Sequence, residues 1–119
     1  PIGLLRFRDF GDNAMGVGEA DLDRVPHCAL PLTDQTTLMA SDVVGDDVAT
    51  FVVGNNTYIY LEAESADEVQ RVFGALADGG STILPLMPTE WAELHGICVD
   101  RFGVQWMLSY TGDVEFQMA

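Results

Sequence analysis

Hydrophobic and polar positions are patterned most clearly in the second half of the chain. From Thr57 to Ala63 they alternate with a period of two: Ile59, Leu61 and Ala63 share one side, and Tyr58, Tyr60 and Glu62 share the other, as in a strand. Ser65-Ala66-Asp67-Glu68 then places a capping Ser three residues before a Glu, the signal of a helix start. Val69, Val72, Phe73 and Leu76 follow at helical spacing, so the pattern predicts a helix of about a dozen residues with one apolar stripe, stopped by Gly79-Gly80. Three strands are expected next, over residues 81–87, 94–99 and 104–110. Asp100-Arg101-Phe102-Gly103 joins the last two as a tight hairpin loop, with Gly103 in the left-handed position. On the last strand Val104, Trp106, Leu108 and Tyr110 form an apolar face suited to the helix, and Gln105, Met107 and Ser109 form the opposite face.

The first half lacks a helix. Leu4–Phe10 mixes apolar and charged residues like a strand, and Gly11–Asp23 is rich in breakers and reads as a loop. Val25–Leu32 is a second strand, whose Pro26 and Pro31 point to an edge position or a bulge. Thr33–Gln35 makes a turn into a third strand, Thr36–Ser41, and Gly45-Asp46-Asp47 reads as a further turn. Asp113–Ala119 reads as a tail. The back half therefore spells strand–helix–strand–strand–strand, and the front half three strands only. The chain opens at Pro1 and runs almost at once into a strand, so a boundary with an element upstream of it is expected.

Length and composition fit this picture. A chain of 119 residues suits one domain, and a hydrophobic fraction of 48% supplies a core. No apolar run approaches the roughly 20 residues of a membrane span, and no signal peptide opens the sequence, so a cytoplasmic location is expected. Nineteen acidic residues stand against five basic ones, all Arg, for a net charge of −14. Such a surface repels nucleic-acid phosphates and anionic membranes, which excludes both as partners. Solubility, a salt-adapted host, mimicry of DNA or docking of basic partners remain compatible with it. Cys28 and Cys98 form no Cys-x-x-Cys motif and are expected to be buried free thiols.

Gly54-Asn55-Asn56, the helix ending at Ala77-Asp78-Gly79-Gly80, Leu84-Pro85-Leu86, Trp91 and the run Asp100–Met107 together resemble the PhnB-like branch of the glyoxalase/bleomycin-resistance/dioxygenase superfamily, also called vicinal oxygen chelate. His27 within Arg24–Leu30 and the run Leu38–Asp42 also fit that branch, so the resemblance covers nearly the whole chain. It implies an α+β fold of paired βαβββ modules whose sheets curl around a cavity. Residues 1–112 would be a single glyoxalase-like domain, with a partial first module over 1–54, a second module over 55–112, and a tail over 113–119. The first module would lack its opening strand and helix, which are expected before Pro1. Such a chain is expected to form a homodimer, through its exposed sheet edge and uncovered apolar face. Relatives usually carry Phe-Trp-Gly where this chain has Glu90-Trp91-Ala92, and an aromatic residue where His95 stands.

Metal-dependent members of the superfamily place His, Glu or Gln at four cavity positions. The resemblance puts three of these at Tyr58, Met107 and Met39, and the fourth on the absent opening strand. A phenol and two thioethers hold Zn²⁺, Ni²⁺, Mn²⁺ or Fe²⁺ poorly, so no catalytic metal and no other cofactor is expected. His27 and His95, in different halves and off the ligand positions, are expected to be core or rim residues. The mixed strand faces suit a small aromatic or carbonyl ligand, bound by Tyr58, Tyr60, Gln105, Met107 and Ser109 with Trp91 as lid or dimer anchor. Glu62 is the candidate general base. Some relatives carry a methyltransferase label, but Gly16-Val17-Gly18 has no third Gly after it, and no doubly wound sheet is spelled here, so an adenosyl cofactor is not expected. A metal-free binding protein, like the drug-sequestering members of the superfamily, is the leading expectation. A metal-dependent lyase, isomerase or dioxygenase completed by upstream residues, and an acidic protein-interaction module, are the alternatives.

Overall fold

The chain divides between Val52 and Val53 into two units. The computed structural model describes residues 3–13 and 15–115, so Pro1 and the last four residues of the expected tail lie outside the described residues. The architecture is α+β, with two sheets and few helices.

The first unit is an antiparallel sheet of β1 (Gly3–Leu5), β2 (His27–Pro31) and β3 (Thr37–Ala40), in the order β1-β2-β3. The strand expected over Leu4–Phe10 stops at Leu5. Phe7–Asp9 instead forms a 3₁₀ turn, docked by hydrogen bonds from Phe7 N to Arg24 O (3.0 Å) and from Arg8 N to Leu22 O (2.9 Å). Burial of Phe7 drives the turn: it is the one buried side chain among the described residues of this unit. The Arg8 guanidinium pairs with Asp23 across the same loop. Further 3₁₀ turns span Gly11–Asn13 and Glu19–Asp21, and another replaces the simple turn expected at Gly45, running over Gly45–Thr50. The expectation of an edge position for the proline-flanked strand is also corrected, because β2 is central. Pro26 lies before the strand and Pro31 is its last residue, so neither removes a hydrogen bond from the middle of the ladder. Leu4, Leu30, Met39 and Phe51 are exposed.

The second unit contains β4 (Ile59–Glu62), α1 (Ala66–Ala77), β5 (Ser81–Met87), β6 (Leu94–Val99) and β7 (Gln105–Tyr110). Ser65 caps α1 as expected, its Oγ accepting from Glu68 N at 3.0 Å, while the Glu68 carboxylate reaches back to Glu64 N at 3.1 Å. The sheet order is β4-β7-β6-β5, with β4 and β7 parallel and the other pairs antiparallel. Trp106, Leu108 and Cys98 are buried on the face that meets Val69 and Phe73 of α1. Gly96 lets the two layers close: a Cβ there would lie 2.8 Å from a Phe73 ring carbon and 3.0 Å from Leu84 O. Cys98 is buried as expected, whereas Cys28 in the first unit is only half-buried; both thiols are free.

The hairpin between β6 and β7 is built on Asp100. Its carboxylate accepts from Phe102 N (2.9 Å), Val104 N (3.0 Å) and Trp106 Nε1 (2.9 Å), and Gly103 turns the chain at φ 89°. Because Val104 N is held by Asp100, the strand begins at Gln105 and not at Val104. On the far side β5 is an edge strand whose pairing shifts register twice, with Pro85 inside the irregular stretch.

Candidate functional site

The register of the second sheet decides which side chains share its other face, the one turned away from α1. Tyr60 lies beside Met107, and Met107 beside Ile97, in one row. The next row runs Glu62, Ser109, His95, Met87 across all four strands. Tyr60, Met87 and Trp91 are exposed, and Met107 and Ile97 are half-buried, so this face presents aromatic rings and thioethers to its surroundings.

Within that face one polar pair is buried. His95 is 5% exposed and Ser109 0%, and His95 Nδ1 lies 2.6 Å from Ser109 Oγ. The short Pro88–Ala92 segment folds back, with Thr89 N donating to Ala92 O at 3.0 Å, and sets the Trp91 ring edge-on to the imidazole at 5.3 Å and 73°. Burial pushes the His95 pKa below its ordinary value, which favours the neutral ring near pH 7.

The other expected residues fall as follows. Tyr58 is exposed and lies just before β4. The Gln105 amide donates to Thr57 O at 2.7 Å, tying β7 to the chain entering β4. Glu62 accepts from Thr111 N at 3.1 Å and from the Thr111 hydroxyl, and Tyr60 OH lies 3.4 Å away. Its carboxylate therefore clamps the chain leaving β7. Ser109 has no exposed surface, so it acts on a ligand only through His95. His95 itself went unassigned in the sequence, where it stands as a core or rim histidine. The signal was present in the hairpin: once Val99 pairs with Gln105, stepping four residues back along β6 and forward along β7 brings His95 opposite Ser109. His27, by contrast, is exposed at the start of β2.

The donor set does not fit the metal that the sequence resemblance implies. Of the residues at the implied ligand positions, Met107 offers a thioether beside Tyr60, Tyr58 a phenol, and Met39 a thioether on the first sheet, 64% exposed. Among the described residues no group of three or more His, Cys, Asp or Glu side chains could hold an ion. Neutral sulfur and phenol donors are weak toward borderline divalent metals. In the first unit, Leu4, Val25, Cys28, Ala40, Ser41 and Asp42 line a cleft of about 200 Å³. The Asp42 carboxylate there is engaged by Val25 N at 2.8 Å. No helix among the described residues is long and apolar enough to cross a membrane.

No protein-family model matches the sequence, and neither does any curated protein. Solved structures do. The chain is similar to a PhnB protein from Bacillus cereus, named as a candidate 3-demethylubiquinone-9 3-methyltransferase, at 23% identity over 91% of this chain and 76% of that one, with a TM-score of 0.65. At that identity the likeness speaks for the fold alone. It is also similar to the protein PA1353 from Pseudomonas aeruginosa, at 33% identity over 92% of this chain and 77% of that one, with a TM-score of 0.75. The chain thus belongs to the family of the Pseudomonas aeruginosa protein PA1353, and its fold is PhnB-like.

Proposed function

We propose that this is a glyoxalase-fold protein of the vicinal oxygen chelate superfamily that binds a small aromatic or carbonyl compound without a metal. The observation that carries the proposal is the open face of the second sheet, where Tyr60, Met107, Trp91 and His95 lie together while α1 covers the opposite face. Flat rings and adaptable thioethers around one buried polar group are the ingredients of a small-molecule site. The order β4-α1-β5-β6-β7, with the last strand beside the first, supports a complete module of that superfamily, and the front sheet supports a partial one within a single domain of residues 1–112. The methyltransferase name of the Bacillus cereus protein is not carried over. Here Gly16-Val17-Gly18 leads into the 3₁₀ turn Glu19–Asp21 and not into the α-helix that follows the glycine-rich turn of a doubly wound cofactor fold.

Thermal-shift screening against flat aromatic and carbonyl compounds tests the binding reading, since a ligand of the native state raises the melting temperature by mass action. A series of compounds at millimolar concentration that leaves the transition unmoved would refute it. Metal analysis of untagged protein tests the other half: one equivalent of bound transition metal overturns it. The chain is further proposed to work as a homodimer in the cytoplasm. The exposed Leu4, Leu30 and Met39 of the front sheet support self-association, and light scattering showing a monomer at micromolar concentration would count against it.

A further inference from the structure

On the reading that this face binds a small molecule, we infer that His95 is its polar anchor, presenting Nε2–H as a fixed neutral donor to a carbonyl oxygen. The inference rests on counting hydrogen bonds. Ser109 is wholly buried, and the partner of its hydroxyl is His95 Nδ1, at 2.6 Å. A buried hydroxyl must give its proton to something, and Nδ1 is the acceptor within reach. Ser109 therefore donates, Nδ1 accepts, and the proton of the neutral imidazole sits on Nε2. Burial of the ring favours its neutral form.

Nε2 has no hydrogen-bond partner among the described residues, yet no buried side-chain nitrogen or oxygen among them is left unsatisfied. The one polar atom of His95 without a protein partner is thus the one that reaches the surroundings. Trp91 lies edge-on to the ring, and Met87 is its neighbour across the sheet. A donor set among rings and thioethers selects an acceptor on a flat, apolar body. Glu62 at the far end of the row and a net charge of −14 disfavour an anionic acceptor, which leaves a ketone, aldehyde, amide or ester as the class. His95 therefore sets specificity, and Ser109 positions it by fixing the tautomer.

The probe is 6-propionyl-2-(dimethylamino)naphthalene, a neutral fluorescent ketone, compared with 6-propyl-2-(dimethylamino)naphthalene, in which a methylene replaces the carbonyl. The wild-type chain is expected to bind the ketone roughly three- to tenfold more tightly, the worth of one hydrogen bond. In His95→Phe the analogue is expected to bind within about twofold of wild type while the preference for the ketone disappears. Should the orphaned Ser109 hydroxyl prevent folding, His95→Phe combined with Ser109→Ala removes both partners and serves instead. Nitrogen NMR of labelled histidine reads the tautomer without any ligand and is expected to find the proton on Nε2. A preference that survives His95→Phe, or a proton on Nδ1, overturns the anchor while leaving the binding face standing. Wild-type protein that takes up neither compound overturns both.

Discussion

Replacing Asp100 by Ala should weaken the second unit by about 2–4 kcal/mol. The carboxylate holds three donors at 2.9–3.0 Å. The Phe102 and Val104 N–H groups lie in a hairpin loop and can turn to water, so their loss costs little each. The Trp106 indole is different, because the residue is only 7% exposed and its N–H would be left buried without a partner. That orphan alone costs about 1–3 kcal/mol. Asp100→Asn is the sharper variant. Its amide oxygen can still accept from both backbone groups, but its NH₂ meets the indole N–H donor to donor, so about 1–2 kcal/mol should be lost. Both tryptophans lie in the second unit, so urea unfolding followed by tryptophan fluorescence reports the unit in question.

Acidity supplies a second arm to the same test. Burial pushes the Asp100 carboxyl up, but the bonds from Trp106, Val104 and Phe102, with Arg101 nearby, outweigh it and hold the group below the ordinary carboxylate range. Its stabilising contribution is therefore complete above the unfolded value of about 4 and is lost as pH falls through the lower folded value. The gap between wild type and Asp100→Asn should be constant near neutrality and shrink in strong acid. An Asp100→Ala protein within about 0.5 kcal/mol of wild type would show that the hairpin does not depend on this carboxylate.

Three further outcomes are expected. His95 is held below its ordinary pKa by burial, so the unfolded chain takes a proton first as pH drops through about 6.5. Stability should then fall by up to about 1.4 kcal/mol per pH unit relative to the His95→Phe, Ser109→Ala pair, and parallel curves in urea would refute this. Gly96→Ala should cost about 1–3 kcal/mol by forcing a methyl against Phe73, with partial rescue by Phe73→Leu, both read by urea unfolding. Ser65→Ala should cost about 1 kcal/mol and Ser65→Asp almost nothing, because the cap needs only an oxygen facing Glu68 N; circular dichroism melts compare them.

The second unit was largely legible in its sequence because local signals and tertiary demands agree there. The Ser65 cap, the Val69–Phe73 stripe and the alternation around Trp106 and Leu108 each point to the elements they form. The first unit was less so. Arg6 to Phe10 alternates like a strand, but the burial of Phe7 and the pairing of Arg8 with Asp23 bend it into a turn, and neither is visible locally. Pro26 and Pro31 argued for an edge, yet their positions outside the ladder's middle made a central strand harmless. At the site, alternation placed Met107 on the face opposite Leu108. The partnership of Ser109 with His95 needed the hairpin register as well, and two residues that look ordinary alone become a pair only through it.

The placement of β7 carries a consequence for how the protein is made. The last strand of the unit is not at the rim but lies between β4 and β6. Until it leaves the ribosome, β4 has no hydrogen-bonded neighbour and β6 only one. Ile59 must then find Trp106 across the intervening helix and two strands. That late closure of a long loop makes the docking of β7 the rate-setting step for assembly of the unit. A nascent chain cut before Gln105 would hold α1 against the β5–β6 hairpin, with β4 left unpaired.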